Sequence, residues 1–361
     1  MSTIAPSIAT LRILDANINR ASEGLRVVED YLRLGLNDRY LTELSKNLRH
    51  DLSRQIASII PSLRAAARDT QNDVGTSVET ASEYDRCDEA AVATANIKRV
   101  QQSLRCLEEF AKLVDPEQAR TIESLRYRSY SLEKAFVINA DSRQRMANRS
   151  LYVLVDGCRS ISEFMNLVSD LVSAGVHIIQ LREKTLEDRE LIERARLLRE
   201  AVQNSNTLII MNDRPDLALV TQADGVHVGQ EDLSVKDARQ IVGPDALVGV
   251  STHSIEQARQ AVLDGANYIG VGPTFNSETK QFTTFPGLDF VRQVSQEITL
   301  PTFAIGGIDL ENLNRVLNMG ATRIAVSHAV TVADNPARAA RALLEQLATR
   351  GQTVAMESEV L

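Results

Sequence analysis

The chain has 361 residues, a formal net charge of −8 and three cysteines, and its length suits two domains. Its charge balance excludes a basic nucleic-acid-binding surface, and no apolar run approaches the roughly 20 residues of a membrane span. Cys87, Cys106 and Cys158 form no Cys-x-x-Cys pair, and the first residues lack a signal-peptide pattern. We therefore expect a cytoplasmic protein with free thiols and without nucleic-acid or membrane partners.

The distribution of glycine divides the chain into two parts. Only Gly24, Gly35 and Gly75 precede residue 150, so 14 of the 17 glycines lie in the C-terminal part. Glycine serves tight turns, and few turns are therefore expected before residue 150. This predicts a mainly helical domain over residues 1–140, followed by an α/β domain.

The N-terminal part contains an internal repeat. The pattern Ala-Asn-Ile-x-Arg-x4-Leu-Arg-x2-Glu in residues 16–29 recurs in residues 95–108, at an offset of 79. Apolar residues in both copies follow the helical period, which predicts an amphipathic helix in each. Two such helices can pack as a pseudo-symmetric pair.

Two polar segments interrupt this pattern. Residues 68–76 follow a further predicted helix at 41–60, and their turn-forming side chains suit either a ligand-binding loop or an ordinary solvated connection. Residues 141–149 are polar and aperiodic, which is typical of a linker to a second domain at 150–348. Residues 349–361 are expected to form a C-terminal tail.

Eight short apolar runs follow residue 150, and most of them are separated by amphipathic stretches. The predicted strands are Leu151–Val155, Val176–Leu181, Thr207–Met211, Gly225–Val228, Leu247–Val250, Tyr268–Val271, Thr302–Ile305 and Arg323–Val326. The predicted helices are 161–174, 188–203, 235–242, 255–264, 288–296, 313–319 and 336–348. This alternation predicts a (β/α)8 TIM barrel. An open doubly wound sheet is disfavoured because Gly-x-Gly-x-x-Gly is missing after the first strand.

Gln180, Arg182 and Lys184 end the second predicted strand. Their alternation places the three side chains on one side if the strand continues through them. Two cations beside each other suit a phosphate or diphosphate, although these residues taken alone favour a salt-bridge set at the barrel rim.

Asp213 and Asp232 follow the third and fourth predicted strands. Two neighbouring carboxylates suit Mg²⁺, which takes one or two carboxylates and completes its shell with water and substrate oxygens. Helix capping is the alternative, with Asp213 before Arg214-Pro215 and Asp232 before the helix that follows Leu233.

Later strand ends carry hydroxyls and glycines. After the fifth strand, Ser251 is a candidate anion donor and Ser254 a candidate helix cap. Residues 270–280 place hydroxyls and Lys280 on one loop. Gly306 and Gly307 follow the seventh strand, and Val326-Ser327 ends the eighth, where barrels of this kind commonly bind phosphate. A tight turn is the alternative for the glycine pair.

The histidines are scattered and form no His-x-x-x-His or His-Glu-x-x-His pattern. Ser251 has no evident acid–base partner in the sequence. A zinc hydrolase and a serine triad are therefore disfavoured.

This series of motifs resembles thiamine-phosphate synthase (thiamin phosphate pyrophosphorylase). The motifs are Gln-Leu-Arg-Glu-Lys at 180–184, Asn-Asp at 212–213, Gly-Gln-Glu-Asp at 229–232, Ser-Thr-His-Ser at 251–254, Gly-Pro-Thr-Phe-Asn-Ser-Glu-Thr-Lys at 272–280, Ile-Gly-Gly at 305–307 and Val-Ser at 326–327. The family usually has Thr at the position of Ser277, so a hydroxyl is kept there and a methyl group is lost.

The resemblance implies a transferase that joins 4-amino-2-methyl-5-hydroxymethylpyrimidine diphosphate to 4-methyl-5-(2-phosphoethyl)thiazole or its carboxylated form, giving thiamine phosphate and diphosphate. It implies two phosphorylated small-molecule substrates and one Mg²⁺ per active site, held by Asp213 and Asp232. The residues implied to bind the pyrimidine diphosphate are Gln180, Arg182, Lys184, Asn212, Ser251 and Lys280, of which Arg182, Lys184, Ser251 and Lys280 are also the implied catalytic residues. Those implied to bind the thiazole phosphate are Ser277, Thr279, Gly306, Gly307, Val326 and Ser327.

The N-terminal part resembles an extension found on some bacterial members, which is sometimes linked to phosphorylation of the pyrimidine monophosphate. No Gly-x-x-x-x-Gly-Lys-Ser/Thr loop is present, and homo-oligomerisation or substrate hand-over is equally open. For the barrel, a thiazole tautomerase and a non-catalytic thiamine-precursor sensor remain as alternatives.

Overall fold

The chain forms two compact units in a computed structural model, one comprising Met1–Val137 and the other Ile138–Leu361. The model describes residues 6–57, 61–69, 86–275 and 286–358. Within these ranges no helix is long and apolar enough to cross a membrane.

The first unit is helical, as predicted. Its helices are α1 (Ile8–Asp30), which continues into a wider helical turn at Tyr31–Gly35, α2 (Arg39–Ala57), α3 (Pro61–Ala67), α4 (Glu89–Ala111) and α5 (Pro116–Arg145), whose residues from Ile138 onward belong to the second unit. Helices α1 and α4 begin at side-chain caps, because Ser7 accepts from the Thr10 amide and Asp88 from the Ala91 amide.

The two copies of the sequence repeat lie on α1 and α4, which pack against each other. Their contact is close at Gly24, where an added Cβ would lie 2.8 Å from the Val100 side chain and 3.1 Å from the Asn96 carbonyl oxygen. The predicted packing of the two repeated helices against each other is confirmed.

The repeat extends beyond the residues that the sequence pattern identified. In each copy, a buried glutamate at the end of the motif accepts a hydrogen bond from an arginine Nε of the following long helix, over 2.8 Å. The two pairs are Glu29 with Arg49 and Glu108 with Arg126. Each half of the first unit is therefore a helical hairpin, and an equivalent glutamate–arginine ion pair holds each hairpin together.

Helix α5 corrects the expected linker. Residues 141–145 belong to this helix, and the helical period of buried positions continues through Asn139, Ser142 and Met146. Asn139 donates to Thr299 Oγ1 over 2.9 Å, and Ser142 Oγ accepts from Asn267 over 3.0 Å. Because two of the buried positions are polar, the helical period is not visible in the hydropathy pattern. The irregular linker predicted for 141–149 is therefore wrong over residues 141–145, which are helical.

The second unit is a closed barrel of eight parallel strands in sequence order, which confirms the predicted TIM barrel. The strands are β1 (Leu151–Val155), β2 (Ile178–Leu181), β3 (Leu208–Asn212), β4 (Gly225–Val228), β5 (Leu247–Thr252), β6 (Tyr268–Val271), β7 (Thr302–Ile305) and β8 (Ile324–Val326).

The helices around the strands follow the predicted order, with two short additions. They are α6 (Ile161–Ser173), α7 (Asp188–Val202), α8 (Pro215–Val220), α9 (Val235–Val242), α10 (Ile255–Asp264), α11 (Gly287–Glu297), α12 (Leu313–Leu317), α13 (His328–Thr331) and α14 (Pro336–Ser358). Helices α8 and α13 were not predicted from the sequence. Helix α14 was predicted to end at residue 348, whereas ten residues of the expected tail continue this helix.

The barrel interior is filled by large side chains near the start of the strands. This cluster comprises Met146, Tyr152, Ile178, Ile210, Leu247, Tyr268, Phe303 and Ala325. Gly249 leaves the space that the Tyr268 ring occupies, because a Cβ there would overlap the ring. The interior is therefore a packed core, and open space for a ligand lies at the other end of the strands.

Candidate active site

The polar residue series lies at the carboxyl ends of the strands, and its first member is buried. Gln180 on β2 is 2% exposed and donates from Nε2 to the Tyr152 hydroxyl over 2.8 Å. Its Oε1 is buried without a hydrogen-bond partner among the described residues. An unpaired buried acceptor is costly, so this oxygen is suited to receive a ligand donor.

Arg182 and Lys184 follow the strand instead of continuing it. Strand β2 ends at Leu181, so the simple alternation expected for Gln180, Arg182 and Lys184 does not hold. Between the two cations, Glu183 accepts hydrogen bonds from the Gly157, Lys184 and Thr185 amides at 2.6 to 2.8 Å. Burial opposes ionisation of Glu183, but these bonds and one from the Thr185 hydroxyl lower its pKa to about 2. Glu183 thus shapes the turn that carries both cations.

Asp213 and Asp232 lie together, as the sequence predicted from their strand ends. Burial and the adjacent Asp232 carboxyl, through a hydrogen bond and its negative charge, raise the pKa of Asp213 to about 6. The Asn212 side chain, which donates to Asp213 over 2.6 Å, and the charge of Lys184 act in the opposite direction. Two carboxyls that oppose each other's ionisation fit a hard divalent cation.

The capping alternatives for the two aspartates are wrong. Arg214 occupies the residue before α8, and Asp213 has a left-handed backbone with φ of 58°. Ser234, not Asp232, caps α9 by accepting from the Asp237 amide. Asp232 instead accepts from the Gly229 amide over 2.7 Å, which holds its carboxyl at the strand end.

Ser251 has a histidine partner that sequence analysis missed. His227 on β4 lies with Nε2 3.0 Å from Ser251 Oγ and Nδ1 3.3 Å from the Tyr268 hydroxyl. Burial and the charge of Arg182 lower the pKa of His227 to about 4, and the residue as a whole is half-buried. The alternation of inward-facing positions on β4 and β5 is the signal that could have found this pair.

Ser254 caps α10 by accepting from the Gln257 amide, which confirms that expectation. Ser251 is therefore not needed for the cap.

The loop after β7 has the backbone conformation that a glycine-based turn requires. Gly306 and Gly307 have φ of 105° and 64°, and Phe275 donates its amide to the Gly306 carbonyl. Val326 is buried at the end of β8, and Ser327 Oγ donates to the Leu154 carbonyl over 3.1 Å. The tight turn and an anion-binding role are compatible here.

Three predicted site residues, Ser277, Thr279 and Lys280, lie outside the described residues, as do residues 70–85 of the polar N-terminal segment. Arg68, at the start of that segment, donates from Nε to Asp15 over 2.7 Å.

The fold and the site define an α/β-barrel enzyme whose strand ends bring a pair of carboxylates close to cations. A family model described as thiamine monophosphate synthase matches residues 151–330, and a ThiD2 family model matches residues 12–135. The chain belongs to the thiamine-phosphate synthase family and is an enzyme of thiamine biosynthesis, a transferase.

Several relatives share both parts of the chain. A thiamine-phosphate synthase of Rhodopirellula baltica is 46% identical over 96% of each protein, and one of Synechocystis is 42% identical over 95% of this chain and 98% of its own. The structure of a thiamine phosphate pyrophosphorylase from Pyrococcus furiosus is 30% identical, with a TM-score of 0.51, and covers 58% of this chain and 98% of its own.

Proposed function

We propose that the barrel joins 4-amino-2-methyl-5-hydroxymethylpyrimidine diphosphate to the thiazole phosphate, with release of diphosphate. The observation that carries this proposal is the carboxylate pair, Asp213 and Asp232, beside the charge of Lys184. A carboxylate pair with nearby cations suits a metal-bound diphosphate better than it suits a single phosphate or a neutral ligand. Family membership supports the same chemistry.

Asp213 and Asp232 would hold Mg²⁺, and their mutual electrostatic penalty is the feature of this structure that fits a divalent cation. When bound, Mg²⁺ supplies positive charge to the oxygens of the leaving diphosphate. Asn212 orients Asp213, and the Gly229 amide orients Asp232.

The reaction needs charge stabilisation and no general base. The methylene C–O bond breaks, its electron pair leaves with diphosphate, and the lone pair of the thiazole nitrogen forms the new C–N bond. The nucleophile carries no proton to remove. Arg182, Lys184 and Lys280 neutralise the departing charge, and Ser251 donates a hydrogen bond to it. A neutral His227 engaged with Ser251 agrees with this assignment.

The remaining site residues bind the two substrates. Gln180, with its buried unpaired oxygen, suits the amino group of the pyrimidine. The thiazole phosphate is assigned to Ser277, Thr279, Gly306, Gly307, Val326 and Ser327, because glycines at positive φ expose amides to an anion.

Diphosphate release on mixing both substrates with Mg²⁺ tests this function. We expect stoichiometric diphosphate and thiamine phosphate from the wild-type chain, and turnover reduced by roughly 10²–10³ in Asp213→Ala if this residue holds the metal. A thiazole tautomerase would alter the thiazole phosphate without releasing diphosphate, and a sensor would bind both compounds without turnover. Near-normal turnover in Asp213→Ala would remove the metal role from this residue.

For the first unit, we propose a role in making the pyrimidine diphosphate from the monophosphate, because residues 12–135 match the ThiD2 family. We expect the full-length Asp213→Ala chain, supplied with pyrimidine monophosphate and ATP, to accumulate pyrimidine diphosphate and ADP. Wild type given the thiazole phosphate as well should proceed to thiamine phosphate. If ATP is not consumed while the barrel reaction proceeds from added diphosphate, a scaffold or hand-over role replaces this proposal.

A further inference from the structure

Five side chains form a continuous hydrogen-bonded chain through the barrel interior. Gln180 Nε2 donates to the Tyr152 hydroxyl over 2.8 Å, and the Tyr152 and Tyr268 hydroxyl oxygens are 3.1 Å apart. The Tyr268 hydroxyl lies 3.3 Å from His227 Nδ1, and His227 Nε2 lies 3.0 Å from Ser251 Oγ. We call these residues the interior chain.

The first link of the interior chain fixes the direction of the others. Tyr152 is 2% exposed and Tyr268 fully buried, so neither hydroxyl has water available as a substitute partner. The Tyr152 oxygen accepts from Gln180, and its single hydrogen is then available only for the Tyr268 oxygen. The hydrogen of Tyr268 is directed in turn to Nδ1 of His227.

Nδ1 of His227 is therefore an acceptor, and the ring proton lies on Nε2, directed at Ser251 Oγ. Each of the four links then contains one hydrogen, and both tyrosine hydroxyl hydrogens have an acceptor. A doubly protonated His227 would direct its Nδ1 hydrogen at the Tyr268 oxygen and leave one of the two tyrosine hydroxyl hydrogens without an acceptor in the interior chain.

Burial raises the pKa of both tyrosines, so both hydroxyls keep their hydrogens at neutral pH.

We infer that Tyr152, Tyr268 and His227 are positioning residues, which hold Ser251 with its oxygen accepting from His227 and its own hydrogen free to donate to an anionic oxygen at the barrel mouth. The opposite direction would make Ser251 donate to His227, the arrangement of a serine nucleophile with its base. Aligned hydrogen bonds also polarise one another, which strengthens the final donor. Only the identity of the anion, diphosphate, rests on the proposed function.

The tautomer of His227 is directly measurable. In a two-bond ¹H–¹⁵N spectrum of the full chain with ¹⁵N-labelled histidine, the His227 signals, assigned by their loss in His227→Gln, should show a protonated Nε2 and a bare Nδ1. A protonated Nδ1, alone or with Nε2, would overturn the inference. Because this readout needs no turnover, it stands even if the proposed reaction is not observed.

A double-mutant cycle tests whether Tyr268 acts through Ser251. Tyr268→Phe should lower kcat/KM about 10-fold, the effect of one lost hydrogen bond, and should lower it less than about 2-fold when Ser251 is already Ala. Equal losses in both backgrounds would show a merely structural role and overturn the inference. Tyr152→Phe removes the preceding link and provides a second variant if Tyr268→Phe does not fold.

Phe303→Leu is the matched control. Phe303 is buried and packs on both tyrosine rings, with centroids 5.3 and 5.7 Å away, but it contributes no hydrogen bond to the interior chain. We expect its histidine spectrum to match that of wild type and its effect on kcat/KM to be the same with Ser251 or Ala at position 251. A shift of the His227 tautomer in this variant would assign the tautomer to packing instead of to the hydroxyls.

Discussion

Two carboxyl groups at the barrel mouth have opposite electrostatic surroundings. Glu183 accepts several hydrogen bonds and has its pKa lowered to about 2, whereas Asp213 faces Asp232 and has its pKa raised to about 6. The first carboxylate is stabilised by its neighbours, and the second is held at a cost in the absence of a cation. Glu183 therefore stabilises the structure of the site, whereas Asp213 is suited to bind a cation.

The raised pKa of Asp213 has a measurable consequence for stability. The folded state binds the Asp213 proton more tightly than the unfolded state. The stability gained from this proton is therefore fully present below pH 3.8 and is lost as pH rises through about 6. In EDTA, Asp213→Asn should therefore melt at a higher temperature than wild type at pH 7.5, and at nearly the same temperature at pH 4. Thermal unfolding at both pH values checks this.

Asp289→Asn is the control for this experiment, because the Asp289 side chain is 88% exposed on α11 and its ion-pair partner is Arg292 instead of a second carboxyl. It should show no comparable stabilisation at pH 7.5. Addition of Mg²⁺ should raise the melting temperature of wild type more than that of Asp213→Asn. Equal responses to Mg²⁺ would contradict the assignment of Asp213 as a ligand.

At the scale of elements, the turn after β4 positions Asp232 through Gly229. A Cβ at this glycine would lie 2.7 Å from Asp232 Oδ2, the atom that accepts from the Gly229 amide. Gly229→Ala should displace the carboxyl with little loss of stability, because Gly229 has no positive φ and the clash is with the end of a flexible side chain. We expect half-maximal activity to need roughly 10-fold more Mg²⁺.

A Mg²⁺ titration of activity measures this effect. Asp237→Ala on the following helix provides a comparison, since Asp237 contacts the Ser234 cap and not the carboxyl pair. An unchanged Mg²⁺ requirement in Gly229→Ala would show that Asp232 tolerates the methyl group or does not contact the metal.

The elements that sequence analysis found are those with strong periodicity. Strands such as β1, β4 and β6 were predicted with their observed bounds, because buried parallel strands are short uninterrupted apolar runs. Helices α8 and α13 have six and four residues, too few for a periodic pattern. The His227–Ser251 pair depends on which faces of β4 and β5 point inward, and no local motif records that relation. The strand-end residues were predicted because their positions follow from topology alone.

At the scale of the whole molecule, the segment between helix α5 and the first strand contributes to the core of the second unit. Met146, just beyond this helix, is fully buried with Tyr152, Tyr268 and Phe303 near the start of the strands, away from the site. The barrel therefore depends on residues that precede its first strand. A fragment that begins at residue 150 lacks them, whereas the second unit begins at Ile138.

Met146→Ala should lower the free energy of unfolding by about 2–5 kcal/mol, because a buried cavity replaces the side chain. Denaturant unfolding of the full chain measures this change, and kcat should be nearly unaffected. Val332→Ala, at a position 69% exposed, should change stability by less than about 0.5 kcal/mol. Similar values for both variants would contradict the role of Met146 in the core.

Because the two hairpins of the first unit lie in one chain, their surfaces need not be identical. Two separate chains, each with one hairpin, would make the α1–α4 contact as a symmetric homodimer, in which both surfaces must be identical. A single chain has no such requirement. Beside Arg126 stand Tyr127 and Tyr130, whereas the corresponding positions after Arg49 are His50 and Ser53. The first unit therefore presents two different surfaces, and each is available for a separate role.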